Sequence, residues 1–224
     1  MKKIYKTILL DCDGVVLDSN DIKTNAFKKT LENEPKKLVN KFIENHKENQ
    51  GIDRYKKFEY FFLEIKKSDM NYEKKYFDYL KKYSSLCKTS LLNAKPVPGI
   101  LNFLEYTKGL TNIKKFIVSG SDHDELNYIF NKKKLSNYFD GIYGSPKSKK
   151  NIIKNLIEEN KISKPAVFFG DAKSDMMAAL DYNIDFIYIY GFSNWLEGKK
   201  ICNLKKIITL KDFESVTEVI GFSQ

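Results

Sequence analysis

Asp11 and Asp13 stand two residues apart, directly after the apolar run Thr7–Leu10 and directly before Gly14. A glycine there permits a tight backbone turn, so both carboxylates can reach one pocket; the same residues also suit a plain turn or a helix cap. A second acidic pair, Asp171 and Asp175 in Gly-Asp-Ala-Lys-Ser-Asp, follows another apolar run, Ala166–Phe169, and spans the start of a helical pattern. If the two pairs meet at one sheet edge, four carboxylates repel one another unless a hard cation neutralises them.

Four short apolar runs, 7–10, 115–118, 166–169 and 186–190, read as buried parallel strands. Polar clusters follow the first three, at the carboxyl ends where open α/β sheets place their ligands. Helical patterns alternate with them at 100–107, 122–133, 151–160 and 175–181, which predicts an α/β fold with a doubly wound, Rossmann-like parallel sheet. Residues 19–91 break this rhythm. They are rich in Lys and Glu, nearly free of Gly and Pro, and carry helical apolar spacing at Phe58, Phe61, Phe62 and Ile65, so they read as a helical insert. The core is expected to comprise 1–18 and 92–224, with Lys95-Pro-Val-Pro-Gly99 as a stiff return segment.

The residues Asp11-Cys-Asp-Gly-Val-Val-Leu-Asp-Ser19, Ser119 after a strand, Lys147 or Lys149, and Gly170-Asp171-Ala-Lys-Ser-Asp175 resemble the four motifs of the haloacid dehalogenase superfamily, in that family's order. The resemblance covers nearly the whole chain and is closest to members with a small all-helical cap, the phosphoglycolate phosphatase and β-phosphoglucomutase type. It implies that Asp11 attacks phosphorus and becomes an aspartyl-phosphate, and that Asp13 protonates the leaving oxygen and later activates water. It further implies Mg²⁺ held by Asp11, the Asp13 backbone carbonyl and Asp171, with Asp175 in support. Ser119 and the Gly120 N–H would donate to the phosphoryl oxygens, although Ser119 also suits a helix cap. Of the three lysines in Gly144-Ser-Pro-Lys147-Ser-Lys149-Lys150, Lys149 is favoured over Lys147 for contact with the phosphate; the other two read as solvated.

In the insert, the chain's one arginine, Arg54, shares a helix face with Lys57 at i, i+3. The pair reads either as an anion fork for substrate or as a surface ion pair. Asn20 and Lys23 follow the first motif and fall either at the pocket mouth or on a solvated helix start. His123 reads as a surface capping residue.

The complete Asp set separates the reading from carbon–halogen cleavage, and the reading is of a Mg²⁺-dependent phosphatase for a small phosphorylated metabolite. Its alternatives are a phosphohexomutase or phosphonatase of the same superfamily, or a non-catalytic basic binding module. A net charge of +10 raises the question of nucleic acid, but a single arginine among 39 basic residues, with lysines interleaved with acids, speaks against that partner. Three scattered cysteines and two histidines support neither disulfides nor a zinc site and fit a reducing cytoplasm. The apolar run at 8–10 is cut by Asp11 before a leader can form, no run reaches membrane-spanning length, and no membrane partner is expected. Oligomeric state is not legible.

Overall fold

The computed structural model describes residues 3–68, 72–110 and 112–221. Six parallel strands form its sheet: β1 (Thr7–Leu10), β2 (Lys114–Asp122), β3 (Gly141–Ser145), β4 (Ala166–Gly170), β5 (Asp185–Ile189) and β6 (Ile208–Leu210), in the order β3-β2-β1-β4-β5-β6. The chain therefore winds outward from β1 through β2 to β3, then crosses back to the other side of β1. That reversal makes a switch point between β1 and β4, the crevice where doubly wound sheets bind ligands.

Alternating side chains along each strand divide the core between the two sheet faces. Ile8 and Leu10 pack on one side with α5 (Ile100–Lys108), α6 (His123–Lys132) and α10 (Val216–Val219). Leu9, Phe116 and Phe168 pack on the other with α7 (Lys149–Glu158), α8 (Lys173–Leu180) and α9 (Gly198–Leu204). Two strands lie outside the four apolar runs of the sequence. β3 contains Gly141 and Gly144, and β6 is a three-residue edge strand, so neither presents a continuous apolar run. β2 also runs beyond Val118 through Ser119-Gly-Ser to Asp122, with an irregular register against β3.

Between β1 and β2 stand α1 (Asn20–Thr30), α2 (Lys36–Glu48), α3 (Arg54–Tyr60) and α4 (Glu73–Leu91). A π-helical turn, Phe61–Ile65, extends α3, with Lys66 N–H bonding to Phe61 C=O. These helices bury an aromatic core in which Phe27 stacks on Tyr83 at 4.0 Å and meets Phe42 and Phe58 edge-on at 5.2 and 5.4 Å. Offset and edge-on ring pairs of this kind add specific geometry to ordinary apolar burial.

Candidate active site

β1 ends at Leu10, and the chain turns sharply, with Gly14 N–H donating to Leu17 C=O and Val16 N–H to Cys12 C=O. Gly14 has φ +75°, and a Cβ there would lie 2.5 Å from both the Asn20 amide and Asp171 Oδ2, so the first motif needs glycine for conformation and for space. Adjacent strands β1 and β4 are in register at Leu10 and Phe169, and the Asp11 N–H extends the ladder to Phe169 C=O. This pairing brings two acidic motifs 160 residues apart to one sheet edge.

Asp11, Asp171 and Asp175 are all buried, and each offers a carboxylate oxygen within 4.8 Å of the others'. Lys149, the first residue of α7, reaches between Asp11 (3.0 Å) and Asp175. Asp175 is fixed further by the Asp171 and Ala172 N–H groups, both donating to its Oδ2. Asp171 accepts from the Asn20 amide at 2.7 Å. Asp11 Oδ1 is buried without a hydrogen-bond partner. Burial, together with the charges of Asp175 and Asp13, outweighs Lys149 and lifts Asp11 to about 7. Burial and the neighbouring Asp11 and Asp175 likewise hold Asp171 well above the carboxylate range. The donor set is all oxygen and crowded with negative charge, and it includes one orphaned buried oxygen, all of which fit a hard divalent cation such as Mg²⁺.

Asp13 is handled differently. Its Oδ1 accepts from Ser19 at 2.5 Å, and its Oδ2 accepts from Ser121 at 2.8 Å and from Lys23, which also donates to Ser121. Burial pushes this carboxyl up, but the Lys23 charge and these donors prevail and hold it below its ordinary value.

Above the carboxylates lies a cavity of about 50 Å³. Asp11, Asp13 and Asp171 line it from the strand ends together with Gly120 and Ser121; Asn20, Lys23, His46, Arg54 and Lys57 line it from the helical insert. Asn20 and Lys23 thus take the pocket reading rather than the solvated one. Ser119 is fully buried beneath that wall, its Oγ 3.2 Å from both the Oγ and the N–H of Ser121, and Ser121 is the serine that faces the cavity. Nor is Ser119 the cap of the following helix: Asp122 takes that place, accepting from Glu125 N–H. Lys147 is exposed and lies away from the carboxylates, and Lys150 is exposed and pairs with Asp181. His123 is exposed at the start of α6, where it contacts Asn127.

Arg54 departs from both readings of its sequence. It is 5% exposed, and its guanidinium grips Glu125 of α6 through two bonds of 2.6 and 3.0 Å while lying over the Tyr83 ring. The planar fork is therefore engaged by a carboxylate of the protein, and the ion pair is buried rather than on the surface. Tyr55 reinforces the contact by donating to Asp122 at 2.6 Å. On the opposite side the Gln50 carbonyl accepts from Ser174, and a Cβ at Gly51, where φ is +79°, would lie 2.0 Å from that Ser174 hydroxyl. The insert is thus tied to α6 and α8 on two sides of the cavity.

His46, Ser121, Glu125 and Gln50 were not singled out from the sequence. His46 lies among polar residues in the last turn of α2 and Glu125 in an ordinary polar first turn of α6, and only the packing of the helical insert against the sheet edge brings them to the site.

A model described as haloacid dehalogenase-like hydrolase matches residues 8–189. No curated protein sequence matches. Among solved structures, a predicted phosphoglycolate phosphatase from Haemophilus somnus superposes with a TM-score of 0.76 at 16% identity, covering 96% of this chain and 97% of that one. A β-phosphoglucomutase from Clostridium difficile gives 0.72 at 19% identity, covering 95% and 93%. A predicted phosphatase from Clostridium acetobutylicum gives 0.71 at 22%, covering 92% and 94%. At these identities the likeness is one of fold.

Proposed function

The chain belongs to the haloacid dehalogenase-like hydrolase family, and on that footing we propose that it is a phosphatase that releases phosphate from a small phosphorylated metabolite. The observation that carries this reading is the convergence of Asp11, Asp171 and Asp175 at the switch point of the sheet, with Lys149 against Asp11 and Asp175, and with Asp11, Asp13 and Asp171 facing one cavity. In this reading residues 1–18 and 92–224 are the catalytic core and 19–91 the cap.

Asp11, through the carboxylate whose Oδ1 has no partner, is the nucleophile: its oxygen forms a bond to phosphorus as the ester oxygen leaves, giving an aspartyl-phosphate. Asp13, ionised by Lys23, takes a proton from the water that attacks the intermediate, and it passes a proton to the leaving oxygen only as that proton is relayed from the Lys23 ammonium bonded to its Oδ2. The hydrogen bonds from Ser19, Ser121 and Lys23 orient it for both tasks. Lys149 and the Gly120–Ser121 segment supply fixed positive charge and donors for the phosphoryl oxygens. Asp11, the Asp13 carbonyl and Asp171, supported by Asp175, would hold Mg²⁺, which when bound offsets repulsion between the nucleophile and the phosphate. The insert, tied down through Arg54–Glu125 and Gln50–Ser174, covers the carboxylates and narrows their access to bulk water.

Phosphate release from a panel of phosphorylated sugars, organic acids and nucleotides tests this directly. Turnover is expected with Mg²⁺, and loss of it with EDTA and in Asp11→Asn. A folded, Mg²⁺-supplied protein that releases phosphate from no ester would refute the phosphatase reading.

A further inference from the structure

Among the three cations lining the cavity, two already have acidic partners: Lys23 is paired with Asp13 and Arg54 with Glu125. Lys57 is the exception. It is 6% exposed, it lines the cavity, and its one hydrogen-bond partner among the described residues is the His46 ring at 2.8 Å. Asp13 and Asp53 act on it only at a distance, and a buried amine bonded to no acid is costly unless something else supplies the charge.

His46 cannot supply it. Thr24 spends its hydroxyl proton on the Asn20 carbonyl at 2.9 Å, so where Thr24 Oγ1 meets His46 Nε2 at 3.0 Å the ring must be the donor. Nε2 therefore carries the imidazole proton, and Nδ1 accepts from Lys57. Burial and the adjacent Lys57 and Lys23 keep His46 neutral, its pKa pulled down to about 2. The chain Asn20 C=O, Thr24, His46, Lys57 holds the amine against the cavity and leaves its remaining hydrogens without an acceptor. Of the rings on that wall, Phe27 lies under the Lys57 Nζ at 5.8 Å, a cation–π contact that brings no formal negative charge, and Tyr83 lies under Arg54.

We propose that Lys57, positioned by His46, is the specificity residue for a carboxylate carried by the substrate at the end opposite its phosphate, so that the preferred substrate is a phosphorylated acid rather than a neutral sugar or polyol phosphate. A second phosphate would bring up to two negative charges to a wall with one uncommitted cation, and a hydroxyl would leave that cation uncompensated. A carboxylate matches it in charge and hydrogen bonding. Burial, with Lys23 adding to it, draws Lys57 down to about 7, as expected for a cation awaiting its partner.

The inference rests on the phosphatase reading, and matched pairs of esters separate the two. The pairs are 3-phosphoglycerate with glycerol 3-phosphate, and 6-phosphogluconate with glucitol 6-phosphate, each differing where a carboxylate replaces a hydroxymethyl group. With the wild-type protein, kcat/KM should favour the acid by about tenfold or more in at least one pair, the scale of one charge-assisted hydrogen bond. In Lys57→Met and Lys57→Gln that ratio should collapse, chiefly through KM for the acid, and Lys57→Arg should restore part of it. Hydrolysis of both members of each pair without preference, a preference that survives in both variants, or stronger turnover of fructose 1,6-bisphosphate than of either acid would overturn the inference while leaving the phosphatase intact. Absence of phosphate release from all the esters would remove the phosphatase reading and this inference with it.

Discussion

The two walls of the cavity solve opposite electrostatic problems. The strand-end wall gathers carboxylates on short loops whose backbone is fixed by the sheet, and it leaves Asp11 and Asp171 with raised pKa values because negative charge is in excess. The helical wall gathers cations on α1 and α3 and assigns Lys23 and Arg54 to acids, with Lys57 left over. One wall thus attracts positive charge and the other a negative group. In the function proposed above, a phosphate ester would lie between them, with the chemistry assigned to groups held by strand ends and discrimination to groups held by helix packing, which can vary without disturbing the sheet.

The sharpest way to break this contrast is Asp11→Asn. Phosphate release should fall on the order of 10⁴-fold or more, while thermal stability holds or rises because one buried like charge has gone. A Tm well below wild type would mean that the strand-end wall is structural as well. The helical wall should behave inversely, since Arg54→Ala or Glu125→Ala strands a buried charge and should each cost about 3–5 kcal/mol in denaturant unfolding. The double variant should cost clearly less than the sum of the two, and additivity would dissolve the latch between the insert and α6.

A pH series sharpens the role of Lys57, which is surrounded by Lys23, Lys149, Asp13 and Asp53. Its pKa of about 7 in the folded chain lies below the ordinary lysine value of 10.5, so between those limits the unfolded chain binds the extra proton. Stability conferred at this position therefore rises with pH across that window. Lys57→Met should be more stable than wild type at and below neutrality, by at least about 1.4 kcal/mol if the depression exceeds one unit, and the gap should close toward pH 10. A gap independent of pH would show the amine to be ordinarily solvated. The smallest effect belongs to Lys147→Ala, which should change stability by less than about 0.5 kcal/mol and leave turnover within twofold, since Lys147 is exposed and Lys149 holds the buried position.

The strand-end wall was legible because its signals are local. Asp11, Asp13 and Gly14 sit in one turn, Asp171 and Asp175 in one strand-to-helix transition, and the strands before them are uninterrupted apolar runs. The same argument failed for β3 and β6, whose glycines or brevity hide them, and it did not separate buried Ser119 from Ser121 two residues on, which lines the cavity where the β2–β3 register shifts. Arg54 was visible as the chain's one arginine, but its partner Glu125 lies 71 residues away on another element, so a free fork and an occupied one look alike in sequence.

The amino-acid sequence by itself determined the alternation of strands and helices and the acidic groups placed at strand ends, because periodicity and turn chemistry act over a few residues. Tertiary structure alone decided that β1 lies beside β4 and that Lys57 faces the cavity bonded to no acid, and it placed Lys149, which the spacing already favoured over Lys147, against Asp11. Those outcomes depend on which elements pack together, and charge pairing across a hundred residues leaves no trace in the spacing of either partner.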